Sequence, residues 1–126
     1  MNTKNNDEVK ILVVDDNAVM CETLNDILSE EGYKITCVGL LASAKKELRE
    51  KYYDVALVDI TLPDGLGTDL LYEIENQKKK TKVIIITGAA DIENAIFAVN
   101  NGAFAYLRKP VNMEILKKYI NKALSS

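Results

Sequence analysis

Five polar residues in this chain share one kind of position, at the end of a short apolar run. Ile11-Leu12-Val13-Val14 leads into Asp15 and Asp16, Val55–Val58 into Asp59, Val83–Ile86 into Thr87, and the run Phe104–Lys109 closes on Lys109. If these runs are strands of one parallel sheet, their carboxyl ends lie along one rim, and residues scattered through the chain converge on one pocket. Three carboxylates held together are costly, since two like charges about 4 Å apart repel by about 4 kcal/mol at an effective dielectric of 20. A cation must compensate. A hard divalent ion with oxygen ligands suits such a set, and Lys109 adds a second positive charge able to face a phosphoryl group.

Taken singly, each residue has a plainer reading. An aspartate at a strand end commonly caps the next helix, Thr87 alone reads as a turn hydroxyl, and Lys109 before Pro110 reads as a solvated lysine ahead of a helix start. What favours the site is that all five occupy carboxyl ends of strands at once. The sequence contains no histidine, which removes His-based triads, zinc sites of the His-Glu-x-x-His type and any phospho-histidine donor within the chain.

The elements that must position these residues follow from the hydrophobic pattern. Continuous apolar runs of four residues suit strands covered on both faces. Tyr33–Val38 is mixed and reads as a strand nearer an edge, and Phe104–Lys109 supplies a fifth. Helical spacing separates them: Met20, Leu24, Ile27 and Leu28 before the stop at Gly32; Leu41, Ala44, Leu48 and Tyr52; Leu70, Leu71 and Ile74; Ile92, Ala95, Ile96 and Val99 between Asp91 as N-cap and Gly102; and Met113, Leu116 and Ile120 from about Asn112. Alternating strands and helices predict an α/β three-layer sandwich with right-handed crossovers and helices on both faces.

Bulk properties narrow the class. At 126 residues the chain is expected to form one domain, large enough to bury a core without disulfides or structural metal. No apolar run approaches the roughly 20 residues that span a bilayer, and the polar start MNTKNNDEVK lacks the apolar core of a secretory signal. Residues 1–9 therefore read as a flexible tail, and the expected location is cytoplasmic. A net charge of −3 and a single basic run, Lys78-Lys79-Lys80, suit a solvated helix end better than a nucleic-acid patch. Cys21 and Cys37 fall in a helix and a strand, outside any Cys-x-x-Cys pattern, and read as two ordinary reduced thiols.

The segments ILVVDDN, VALVDITLPDGLG, VIIITG and GAFAYLRKP, in this order and at these separations, resemble the signature segments of response-regulator receiver domains over roughly Lys10 to Leu124. The resemblance implies a flavodoxin-like fold with a five-stranded parallel sheet in the order 2-1-3-4-5, residues 10–126 forming the domain. It implies that Asp59 is the phosphoacceptor, a carboxylate nucleophile forming an acyl phosphate. Mg²⁺ would be bound by Asp16, Asp59 and the backbone carbonyl of Thr61, with Asp15 acting directly or through water. Lys109 would pair with one phosphoryl oxygen and Thr87 with another. Tyr106 matches the aromatic switch position, its ring moving inward as Thr87 moves and reshaping the surface of the fourth helix, fifth strand and fifth helix. The Lys109-Pro110 bond is expected to be cis.

The resemblance further implies a switch rather than an enzyme, catalysing only its own phosphoryl transfer and autodephosphorylation. Its donor would be a histidine kinase or histidine phosphotransfer protein, and its output a downstream protein or a fused domain, with a phosphorylation-dependent homodimer compatible and neither direct nucleic-acid binding nor a membrane involved. Leu62 before Pro63 departs from the common methionine with little change of volume. Thr61 and Ala89 occupy positions that tune phosphate lifetime in the family, and Pro63-Asp64-Gly65 with Gly67 fits a tight loop. Two rival enzymes or binders fit poorly. An aspartate-nucleophile phosphatase of the haloacid-dehalogenase type requires Asp-x-Asp, whereas Asn17 follows two residues after Asp15. A dinucleotide-binding domain would need a glycine-rich first turn where Asp15-Asp16-Asn17 stands. A third rival, an interaction module of the same fold that is never phosphorylated, is opposed by the intact acidic, Thr and Lys set.

Overall fold

The computed structural model describes residues 8–77, 79–88 and 92–126. Twelve elements follow in chain order: β1 (Lys10–Val14), α1 (Ala18–Ser29), β2 (Lys34–Val38), α2 (Leu41–Glu50), β3 (Val55–Asp59), β4 (Thr61–Leu62), β5 (Gly65–Leu66), α3 (Asp69–Asn76), β6 (Lys82–Thr87), α4 (Ile92–Asn100), β7 (Ala105–Arg108) and α5 (Met113–Leu124). The five long strands form one parallel sheet in the order β2-β1-β3-β6-β7. This is the order expected from the resemblance, renumbered because β4 and β5 make a short antiparallel hairpin of their own. From the sequence this segment reads as a tight loop, because strands of two residues carry no periodicity.

Alternation along the strands divides the apolar side chains between two cores. Leu12, Val14, Ala56, Val58, Val83 and Ile85 face α2, α3 and α4, packing with Leu41, Ala44, Leu48, Leu70, Leu71, Ile74, Ala95 and Ala98. Ile11, Val13, Val55, Leu57, Ile84 and Ile86 face α1 and α5, packing with Leu24, Leu28, Leu116 and Ile120. The half-exposed pattern of β2 agrees with its edge position. Gly32, at φ 90°, takes the left-handed conformation that ends α1.

Several expectations are corrected. Tyr52 lies beyond α2 and is 43% exposed, while its neighbour Tyr53 is buried and donates its hydroxyl to Glu47 Oε1 at 2.6 Å. On α4, Ala95 and Ala98 form the buried stripe, and Ile96 and Val99 face outward with Phe97. The sequence of α4 is apolar on nearly every side, so spacing alone cannot choose its inner face, and the small residues are those that let the helix approach the sheet. Val9, assigned to the tail from the sequence, is buried beside Tyr33. Asp91, Ala89 and Lys78, together with residues 1–7 of the tail, lie outside the described residues. Lys79 is held: its ammonium donates to the carbonyl of Leu48 and, at 2.9 Å, to that of Lys51, at the carboxyl end of α2.

Ile84, fully buried on the central strand β6, tests the two-sided core. Ile84→Ala is expected to cost about 2–5 kcal/mol of unfolding free energy, whereas Leu66→Ala, at a residue 46% exposed, should stay within about 0.5 kcal/mol of the parent. Urea denaturation of both variants measures the difference.

Candidate functional site

The carboxyl ends of β1, β3, β6 and β7 meet on one rim. Strand register sets Val14 beside Val58, Asp59 beside Ile86 and Thr87 beside Arg108, so the residues following or ending each strand are neighbours. Asp15, Asp16 and Asp59 there present carboxylate oxygens that all lie within 4.8 Å of one another. Lys109 Nζ stands 3.2 Å from Asp59 Oδ2 and 3.4 Å from Asp15 Oδ2, bridging the two less exposed carboxylates.

The plainer capping readings for the aspartates do not hold. Asn17 caps α1, its side chain accepting from the Met20 N–H at 3.0 Å. Asp15 Oδ1 accepts from the Asn17 N–H at 2.9 Å, its N–H donates to the Val38 carbonyl at 3.0 Å, and the residue is only 5% exposed. Asp16 is the exposed member of the cluster. Asp59 ends β3, well before α3 begins at Asp69. Pro110 is not the first residue of α5 either, because Asn112 caps that helix through the Ile115 N–H.

Charge and burial oppose one another at Asp59. Burial raises its carboxyl above the ordinary carboxylate range; Lys109 pulls it back, Asp15 pushes it further up, and a hydrogen bond from the Thr61 backbone helps hold the anion. For Lys109, burial works against the ammonium, but Asp15 and Asp59 outweigh it and raise its pKa. One ammonium facing three carboxylates leaves net negative charge in a pocket of hard oxygen donors, which is the donor set a small divalent cation requires.

The neighbours hold this geometry from behind. A Cβ at Gly67 would fall 2.0 Å from the Asp59 carbonyl oxygen and 2.6 Å from Val58 Cγ1, so only glycine fits against the end of β3. The Gly67 N–H donates to the Ile60 carbonyl at 2.6 Å. Asp64, in the hairpin turn, accepts from the N–H groups of Leu41 at 2.7 Å and Ala42 at 3.0 Å, which hold its carboxyl below the usual range. It therefore caps α2, whose own N-cap residue, Leu40, makes no side-chain bond. From the sequence Asp64 reads only as a turn residue, because the contact spans 23 residues; its one signal is the lack of a capping side chain before α2.

Thr87 is fully buried, its hydroxyl donating to the Gly88 carbonyl at 3.1 Å, and its carbonyl accepts from the Lys109 N–H at 2.8 Å. Tyr106 lies opposite Ile85 and packs, half-buried, on the core beneath α2, α3 and α4. The Lys109-Pro110 bond is cis, as expected.

Comparison with known proteins agrees with this fold. The sequence model of the response regulator receiver domain matches residues 11–121. The transcriptional regulatory protein ZraR of Klebsiella oxytoca is 32% identical over 94% of this chain, and the response regulator protein PilR of Pseudomonas aeruginosa is 33% identical over 91%. The chain spans about a quarter of the length of these relatives, 27% and 26% respectively. Among solved structures, a CheY-like response regulator receiver domain protein from Methanospirillum hungatei superposes with a TM-score of 0.86 at 35% identity, covering 93% of this chain and 94% of that one. The beryllofluoride-activated NtrC4 receiver domain dimer gives 0.85 at 33% identity, covering 92% and 96%. With the match running through nearly every element from β1 to α5, the chain belongs to the response regulator receiver domain family.

Proposed function

We propose that this chain is a phosphorylation switch in which Asp59 accepts a phosphoryl group from the phospho-histidine of a partner histidine kinase or histidine phosphotransfer protein. The observation that carries this reading is the meeting of Asp15, Asp16 and Asp59 within 4.8 Å, with Lys109 bridging Asp15 and Asp59. An Asp59 carboxylate oxygen attacks phosphorus as the phosphorus–nitrogen bond of the donor breaks, leaving its electron pair on the imidazole and an acyl phosphate on the chain. Asp15, Asp16, Asp59 and the backbone carbonyl of Thr61 would hold Mg²⁺. Such an ion would offset the crowded negative charge and supply electrostatic stabilisation to an incoming phosphoryl group.

Receiver domains are regulatory parts of two-component systems, and no substrate turnover is assigned to this one beyond its own phosphoryl transfer and autodephosphorylation. Lys109 takes one phosphoryl oxygen by a charge-assisted hydrogen bond. The Thr87 hydroxyl leaves the Gly88 carbonyl for another, and the Tyr106 ring turns toward the space it vacates. That movement alters the surface of α4, β7 and α5, where Ile96, Phe97 and Val99 already stand exposed. Exposed apolar side chains on one helix suit contact with a downstream protein, a fused output domain or a second copy once the domain is activated. Residues 10–126 form the switch unit, and the longer relatives make a fused output the natural comparison.

Acetyl phosphate with Mg²⁺ should add one phosphoryl group per chain, read by intact mass, and Asp59→Asn should remove it while leaving the circular dichroism spectrum unchanged. Labelling of Asp59→Asn at the wild-type level, or repeated turnover of small phosphate esters with no phosphoprotein accumulating, overturns the acceptor assignment. Lys109→Ala should still label slowly, yet binding of the activated partner should fall at least about tenfold in a pull-down titration.

The raised carboxyl of Asp59 also sets a pH dependence. Between the unfolded value, about 3.9, and the higher folded value, the native chain holds more protons than the unfolded chain. Stability contributed by this group therefore falls as pH rises through that window. Without Mg²⁺, Asp59→Asn is expected to have the higher urea midpoint at pH 7, the gap closing below about pH 4; a gap that widens on acidification contradicts the sign.

A further inference from the structure

Cys21 and Cys37 lie 16 residues apart in sequence, on α1 and β2, but the fold makes them neighbours. Cys37 pairs in register with Val13 of β1, and strand alternation puts it on the same face as Ile35, which packs on the core beneath α1 and α5. Cys21, in the first turns of α1, packs on that same core from above. The Cys37 thiol donates to the Cys21 carbonyl at 3.6 Å, and the Cys21 thiol donates to the Asp15 carbonyl at 3.6 Å. The first contact bounds the separation, because a carbonyl oxygen lies about 2.4 Å from its own Cα. The Cys37 sulfur is therefore no more than about 6 Å from the Cys21 Cα, and the Cys21 thiol is among its immediate neighbours; a bridge further requires the two Cα atoms to come within about 7 Å. Neither cysteine is bonded to another, and Cys37 is exposed to reagents.

We propose that Cys21 and Cys37 are a thiol–disulfide site, oxidised by a small-molecule disulfide of the glutathione class to an intramolecular bridge between α1 and β2. Cys37 releases its proton, and the thiolate attacks one sulfur of the oxidant. The oxidant's S–S bond breaks, and one small thiol leaves. The Cys21 thiolate then attacks the Cys37 sulfur of the mixed disulfide and expels the second small thiol. The chain loses two electrons and two protons, and the oxidant gains both. Burial, then the adjoining Cys21 thiol, pushes the Cys37 thiol up to about 12, so the first step is slow at neutral pH and the bridge marks sustained oxidation.

The bridge reaches the acidic rim through Asp15. Oxidation removes the S–H that donates to the Asp15 carbonyl, and the Asp15 N–H is bonded to Val38, the residue after Cys37. Asp15 is thus held from both sides by the segments the disulfide would join, and its carboxylate position should differ between the reduced and oxidised chains. This second consequence rests on the proposed metal site, whereas the bridge itself does not.

The test equilibrates the folded full chain overnight with oxidised glutathione, quenches it in acid, alkylates it and maps its peptides. The expected product is a monomer lacking two hydrogen atoms, carrying no alkyl group and yielding a peptide that links Cys21 to Cys37, all reversed by dithiothreitol. Cys21→Ser and Cys37→Ser should each give no linked peptide and keep one thiol that alkylates or carries glutathione. Wild-type chain that gives only glutathione adducts or intermolecular dimers, with circular dichroism showing it folded, overturns the proposal. In calorimetric titration the bridged chain should bind Mg²⁺ with an affinity at least about threefold different from the reduced chain. Equal affinities overturn the coupling to Asp15. A reduced chain that takes up no Mg²⁺ instead refutes the proposed metal site and leaves the linked peptide to decide the bridge.

Discussion

The rim of the sheet confines three carboxylates against one ammonium, and the surrounding structure is organised by that imbalance. Left to themselves, Asp15, Asp16 and Asp59 would relax into solvent or bond to nearby backbone N–H groups, as aspartates at strand ends commonly do. Here Asn17 satisfies the helix start, Lys109 reaches across from the end of β7, and burial behind Asp59 keeps its carboxyl from an ordinary ionisation. Opposing these costs are two apolar layers, one on each face of the sheet, which fix the strand ends regardless of what the ends repel. Stability comes from the middle of the molecule, so the rim can remain electrostatically unsatisfied, as the proposed uptake of a cation and a phosphoryl group would require.

Much of this arrangement can be read from the chain. Four-residue apolar runs announce strands covered on both faces, and the polar residues that end them identify the rim, which is why Asp15, Asp16, Asp59, Thr87 and Lys109 could be grouped without coordinates. The helices α1, α3 and α5 bury the residues their spacing indicates, among them Leu24, Leu70 and Leu116. The features that escaped are those in which residues distant in sequence meet. Asp64 caps a helix that starts before it in the chain, Lys79 binds the far end of the same helix, and two cysteines meet over β2, none of which leaves a periodic trace. Tyr52 misled for a related reason: its helical spacing continues past the point where α2 stops, and Tyr53 takes the buried place.

The fourth helix differs from the others in what anchors it. Among the described side chains of α4, only Ala95 and Ala98 are buried, whereas α2 and α3 each bury larger residues. A buried methyl contributes much less than a buried leucine, so α4 rests on the sheet with little to resist displacement. It follows β6, whose last residue is Thr87, and packs against β7, which carries Tyr106. Under the proposed switch, weak anchoring beside both of these residues would let a small movement at the rim reach a helix that already presents Ile96, Phe97 and Val99 to the outside.

The close seating of Gly67 on the Asp59 carbonyl works in the opposite sense. It is a backstop: the main chain carrying Asp59 has no slack behind it, and under the proposed switch a bulky group added to that carboxylate would not be accommodated by the strand backing away. Under the proposed switch, displacement would thereby be steered sideways along the rim, toward the segment with the fewest large side chains to hold it. A rigid wall on one flank and a compliant one on the other give the domain a direction in which to yield.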